Sequence, residues 1–182
     1  MDGLNKARQK ISKMARIAIV VVGVAITISI GLALSFYIEF QPNFINVNGG
    51  EPVKVGPIRY TIEYIGQHNG DENTKPENTF FQISIIVENE GAKASKMTGG
   101  QFYILDENDK KVQPVYGNFS ENDLLTYMLE PNVPVSFSTQ FDVPFDENKQ
   151  YRIGILPTKE QSSKDIGIVC VLCSISYEIL FC

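Results

Sequence analysis

The chain has 182 residues, a formal charge of −5, one histidine and three cysteines. That length accommodates one ordinary domain with a core of its own, and an acidic balance disfavours nucleic acid, whose phosphates it repels. A lone histidine, His68, far from the clustered Cys170, Cys173 and Cys182, excludes a two-histidine blue-copper site and argues against a paired-ligand zinc site.

Residues 1–16 form a basic segment, with Lys6, Arg8, Lys10, Lys13 and Arg16 opposed only by Asp2. Ile17 to Ile38 follows as 22 residues without a charge. As a helix this run spans about 33 Å, enough to cross a bilayer core of about 30 Å. The spacing predicts a single N-terminal transmembrane α-helix, whose Thr27 and Ser29 bond back to the preceding turn. The positive-inside rule then keeps the N-terminus in the cytoplasm and exports the rest. Two rival readings remain: a cleaved signal peptide, whose apolar region is usually shorter, and processing of the basic segment as in pilin-like subunits. From Glu39 onward there are 11 basic and 20 acidic residues, so the exported part favours cations or basic proteins over anionic surfaces.

Residues 39–50, rich in Asn, Pro and Gly, read as a connector between bilayer and domain. Ile58, Tyr60, Ile62 and Tyr64 then alternate with polar neighbours as in a half-buried strand, with Gly56-Pro57 marking an early bend. The polar stretch beyond it reads as a solvated loop that includes His68. Thr79 to Asn89 carries Phe81, Ile83, Ile85 and Val87 on one face and is the strongest strand pattern in the chain. GAKASKMTGG reads as polar loop, Gln101 to Asp106 as a short strand, and the following ENDKK as a tight turn. Asn122-Asp123-Leu124-Leu125 suggests a helical turn with an Asn or Asp cap. Val135 to Val143, Tyr151 to Ile155 and Ile166 to Leu172 complete the strands, and residues 173–182 form an apolar tail. Seven or so short strands between turn residues, without a long amphipathic helix, make residues 51–172 an all-β, antiparallel, two-sheet sandwich.

Cys170 and Cys173 are the disulfide candidates, since an exported domain meets an oxidising environment and a turn between them brings the two thiols within reach. Pairing Cys170 with Cys182 is disfavoured if residues 175–181 fold back as a hairpin, which leaves those two far apart along the ladder.

Several short motifs follow one another along the chain. Val87, Asn89 and Gly91 give V-x-N-x-G; Phe102, Ile104 and Asp106 give F-x-I-x-D; Leu129 and Pro131 give L-x-P; Phe141 to Pro144 read F-D-V-P. Over about Val53 to Pro157 the chain thus resembles the telokin-like, immunoglobulin-like domains of secreted and membrane-anchored bacterial and archaeal proteins, a family of unknown function. The resemblance implies an immunoglobulin-like sandwich at the cell surface and brings no active site with it.

The remaining chemistry is sparse. His68 has no nucleophile motif to serve, and no phosphate-binding glycine loop or H-E-x-x-H helix occurs, so no cofactor, metal or enzymatic activity is expected. Asp71-Glu72-Asn73 and Asp106-Glu107-Asn108-Asp109 offer oxygen ligands for calcium but lack EF-hand spacing, and the second reads better as a turn. Asp146-Glu147 reads as a solvated pair rather than as glycosidase acids. Asn118-Phe119-Ser120 fits the N-glycosylation sequon. The expectation is a membrane-anchored, non-catalytic binding or scaffolding module for cell-envelope or surface proteins, the alternative being an accessory subunit of a pilus or archaellum-like filament.

Overall fold

The computed structural model describes residues 2–70, 72, 74–105, 109–117, 119 and 122–172, with side chains from residue 14 onward. The chain divides into two compact units, Met1–Gln41 and Pro42–Cys182. The first is one α-helix, α1 (Asp2–Glu39), which carries the basic segment and the apolar run without a break. Its span Met14–Glu39 is 26 residues with no part buried, long and apolar enough to cross a bilayer. Thr27 Oγ1 donates to the Gly23 carbonyl and Ser29 Oγ to the Ala25 carbonyl, each at 2.9 Å, so both hydroxyls are satisfied inside the helix.

The second unit is built of strands: β1 (Asn43–Asn48), β2 (Pro52–Val55), β3 (Ile58–His68), β4 (Thr79–Asn89), β5 (Ser95–Thr98), β6 (Phe102–Leu105), β7 (Lys111–Val112), β8 (Thr126–Leu129), β9 (Val135–Val143), β10 (Tyr151–Ile155) and β11 (Asp165–Val171). They form a five-stranded sheet in the order β1-β11-β10-β6-β7, a four-stranded sheet β2-β3-β4-β9, and a two-stranded piece β5-β8. Each ladder is antiparallel except the one between β1 and β11. The alternation read from the sequence sets the faces. Tyr60, Ile62, Phe81, Ile83, Ile85, Val87 and Phe141 of the four-stranded sheet meet Phe102, Ile104, Ile153, Ile155 and Val169 of the five-stranded one in a single core. Beside the core, Tyr151 accepts from the Asp146 N–H at 2.7 Å and donates to the Pro144 carbonyl at 3.1 Å, closing the turn between β9 and β10.

Four local readings of the sequence are corrected here. Residues 39–50 are not all connector, because Asn43–Asn48 is the edge strand β1; Ile45 and Val47 pack against the core, and β11 supplies a partner that local composition does not reveal. GAKASKMTGG holds β5, whose Met97 is fully buried. Gly56-Pro57 is not a bend within one strand but a two-residue hairpin joining β2 to β3. Gly56 has φ +60, and a Cβ there would meet Ser163 Cβ at 3.0 Å, so glycine suits both the turn and the close approach. Asn122 to Leu125 opens no helix; its backbone bonds to β9 instead, with Ser138 N–H donating to the Asn122 carbonyl and Leu124 N–H to the Ser138 carbonyl, both at 2.9 Å.

The parallel pair β1-β11 is pinned at its first register, Asn43 with Asp165. Asn43 Nδ2 donates to Asp165 Oδ1 at 2.9 Å and Ser163 Oγ to Oδ2 at 2.9 Å. These bonds, with a lesser one from the Gly56 backbone, hold the Asp165 carboxyl below the ordinary aspartate value of 3.8. A carboxyl whose pKa is lower in the folded chain contributes stability above its unfolded pKa and loses it as pH falls through the folded value. Asp165→Asn is therefore expected to lower the melting temperature at pH 7, and the gap to the parent should close as pH falls below 3.8. Paired thermal melts across pH 2 to 7 check this; a constant gap overturns it.

Candidate functional site

Those of the residues singled out from the sequence that the structure describes do not converge. His68 is not a solvated loop residue. A register shift between Tyr64 and Gly66 extends β3 to His68, opposite Phe80, and its ring packs against Phe80 and Phe119 with centroids 5.1 Å away in each case. His68 Nδ1 accepts from the Gly70 N–H at 3.1 Å, while Nε2 is buried without a partner among the described residues. Asp71, Asn73, Asp106, Glu107, Asn108 and the glycosylation candidate Asn118 lie outside the described residues. Asp109, which ends the second acidic loop, forms an ion pair with Arg152. Asp146 Oδ1 accepts from the Asn148 N–H at 3.0 Å, so it serves its own turn rather than a catalytic pair. Cys170, on β11, is disulfide-bonded; Cys173 and Cys182 lie outside the described residues. No group of three His, Cys, Asp or Glu side chains placed to hold a metal ion occurs among the described residues.

Charge clusters offer little more. On the outer face of the four-stranded sheet, Glu90 takes Lys54 Nζ at 2.7 Å and Arg59 Nε at 2.9 Å, and Arg59 also pairs with Glu88. The Lys54 hydrogen bond, with Arg59 behind it, holds the Glu90 carboxyl below the usual glutamate range. The cluster is solvent-exposed and internally neutralised, which makes it a weak stabiliser and a poor ligand site.

The distinctive surface is the two-stranded piece. Leu125, Tyr127, Met128 and Val133 are all exposed here, at 59%, 42%, 51% and 48%. Tyr127 packs on Phe137 of β9, with centroids 4.9 Å apart, which fixes its ring. The position of β8 depends on Asn89, which is fully buried at the end of β4. Asn89 Nδ2 donates to the Leu129 carbonyl at 3.0 Å and to the Lys93 carbonyl at 2.8 Å, while Oδ1 accepts from the Gly91 N–H at 2.9 Å. Its own carbonyl accepts from the Asn132 N–H at 2.7 Å. The patch was missed in the sequence because Leu124 to Leu129 lies in a weakly patterned region; the available signal was six residues without a charge.

Two packed sheets with this strand order and a largely antiparallel core define an immunoglobulin-like β-sandwich. Residues 47–165 match the Domain of unknown function (DUF4352), and the chain belongs to that family. The motif resemblance read from the sequence is thereby borne out. Among solved structures, the yjhA protein of Bacillus subtilis is similar with a TM-score of 0.54 and 20% identity, covering 68% of this chain and 98% of that one. The secreted protein MPT63 of Mycobacterium tuberculosis aligns with a TM-score of 0.51 and 7% identity over 69% of this chain and 97% of its own. A candidate lipoprotein of Bacillus subtilis, ycdA, gives 0.50 and 13% over 68% of this chain, which spans 38% of that longer protein. At these identities the likeness is one of fold. No curated protein matches the chain.

Removing the Asn89 carboxamide would leave the Leu129 and Lys93 carbonyls and the Gly91 N–H without their partner in a buried place. Asn89→Ala is expected to destabilise the sandwich by more than about 2 kcal/mol, at the upper end for a lost hydrogen-bonding side chain. Urea unfolding of parent and variant measures it, and a difference under about 0.5 kcal/mol, the scale of an ordinary surface substitution, would show the hub to be dispensable.

Proposed function

We propose that the chain is a single-pass membrane protein whose β-sandwich stands outside the cytoplasmic membrane and acts as a non-catalytic binding or scaffolding module for cell-envelope or surface proteins. The observation that carries this reading is the apolar span of α1, Met14–Glu39, with no part buried, and the five basic residues that stand before Ile17 and favour a cytoplasmic N-terminus. A secreted protein and a candidate lipoprotein among the fold neighbours support the outer location. The packing of His68 between Phe80 and Phe119 supports a binding role over a hydrolytic one.

Protease added to intact cells or right-side-out vesicles is expected to remove the domain. Protection there, with digestion only in inverted vesicles, would reverse the topology. Intact mass of the purified protein distinguishes the anchor from the filament subunit: the unprocessed chain is expected, and a mature N-terminus close to Ile17 would favour the filament.

Export also bears on the cysteines and on Asn118. The proposed partner of Cys170 is Cys173, with Cys182 left free and Asn118 available as a glycan acceptor. Alkylation without reduction, followed by peptide mapping, is expected to label Cys182 alone. Label on Cys173 with Cys182 protected would overturn the assignment.

A further inference from the structure

Strand β8 leaves its backbone open where neighbouring edges are closed. In the register shared with β5, Gly99 N–H donates to the Leu125 carbonyl at 3.1 Å, so the pairs Met97 with Tyr127 and Ser95 with Leu129 carry the ladder bonds. Thr126 and Met128 fall on the intervening positions, whose N–H and C=O groups point away from β5. On β5 the equivalent outward N–H groups are occupied: Lys96 donates to Glu160 Oε2 at 3.2 Å and Thr98 to Gln101 Oε1 at 2.9 Å. The β9 edge is likewise occupied by Val115, Asn122 and Leu124. The outward backbone groups of Thr126 and Met128 have no partner among the described residues. No proline, lysine or bulge blunts this edge, and Tyr127 and Met128 are half exposed along it.

We propose that β8 is a strand-addition site that takes an extended, alternating basic and apolar segment of another protein alongside Thr126–Leu129. The inference rests on the binding-module reading and names its surface and its partner chemistry. An extended backbone fits because the vacancies are themselves backbone donors and acceptors two residues apart, which a neighbouring strand matches bond for bond. Apolar side chains fit on the face of Tyr127, and the residues that alternate with them fall on the opposite face, that of Thr126 and Met128. Basic ones fit because the chain from Glu39 onward holds 20 acidic against 11 basic residues, and Glu130 lies exposed at the end of β8. The same charge opposes a second copy, which would bring a like-charged domain to the junction.

The test uses the full chain in non-ionic detergent micelles and a short fluorescein-labelled peptide alternating lysine and valine, with a glutamate and valine peptide as its counterpart. Anisotropy is expected to saturate with the lysine peptide only, and amide exchange at Thr126 and Met128 to slow in its presence while β3 and β4 amides are unchanged. Met128→Pro removes an outward N–H and no ladder bond to β5, so it should weaken peptide binding by about tenfold or more without loss of the fold. Should that variant fail to fold, Met128→Lys keeps the backbone, sets a like charge against the peptide and is expected to weaken binding in the same way. Lack of saturation, equal binding of both peptides, or slowed exchange elsewhere in the sandwich overturns the proposal. So does slowing at Thr126 and Met128 that grows with protein concentration alone, which would make the occupant a second copy. Micelle binding does not depend on membrane topology, so failure here and failure of the protease assay are separate results.

Discussion

The sandwich depends on a buried carboxamide. Asn89 stands where β4 ends, and its side chain bridges the turn that follows and the far side of the fold, reaching Lys93 and Leu129 with its two N–H groups and Gly91 with its oxygen. A buried amide with both N–H groups and its oxygen engaged is strongly directional, because any displacement orphans several polar groups at once. Two of the family motifs become one physical statement here. V-x-N-x-G supplies the amide and the turn, and L-x-P supplies Leu129, whose carbonyl is held, and Pro131, which bridges to Asn89. F-D-V-P acts at the other end of the sheet, where the Asp142 carboxylate receives the N–H groups of Glu77 and Asn78 at 2.6 and 2.9 Å and fixes the entry into β4.

A second, smaller apolar cluster lies on the outside of the four-stranded sheet. Phe80 faces away from the main core yet is 1% exposed, because His68 and Phe119 close over it. The segment that brings Phe119 also occupies the β9 edge: Gln140 Nε2 donates to the Val115 carbonyl at 2.7 Å, and Val115 N–H returns to the Gln140 carbonyl at 2.8 Å. An irregular stretch thus performs two tasks that regular strands perform elsewhere, burying a phenyl ring and covering an edge.

What was legible in the sequence follows from how local each cause is. β4, β9 and β10 carry their pattern in consecutive residues, so Phe81, Ile83 and Ile85, or Tyr151, Ile153 and Ile155, announce an inner face without knowledge of a partner. β1 does not: NFINVN is half asparagine, and Ile45 and Val47 become core residues only because β11 lies beside them. β5 has Met97 as its one apolar residue and owes its strand geometry to β8. His68 was misplaced because GQHNGD has a turn composition, while the bulge at Tyr64/Gly66 that redirects the strand leaves no mark on a period of two. The patch on β8 was hidden for a related reason: hydrogen-bond vacancies belong to pairing, and pairing is not written in composition.

The parallel ladder between β1 and β11 has a consequence for biosynthesis. Asn43 and Asp165 are 122 residues apart in the chain, so the first strand to be made has no partner until nearly the whole domain has been translated. The N-terminal helix is made first, and the segment just after it must wait with a raw edge while the ribosome adds the rest. A sandwich closed by its own first and last strands is slow to nucleate and finishes in one late step. Premature compaction of a partial chain is thereby disfavoured, because it lacks the strand that completes the five-stranded sheet.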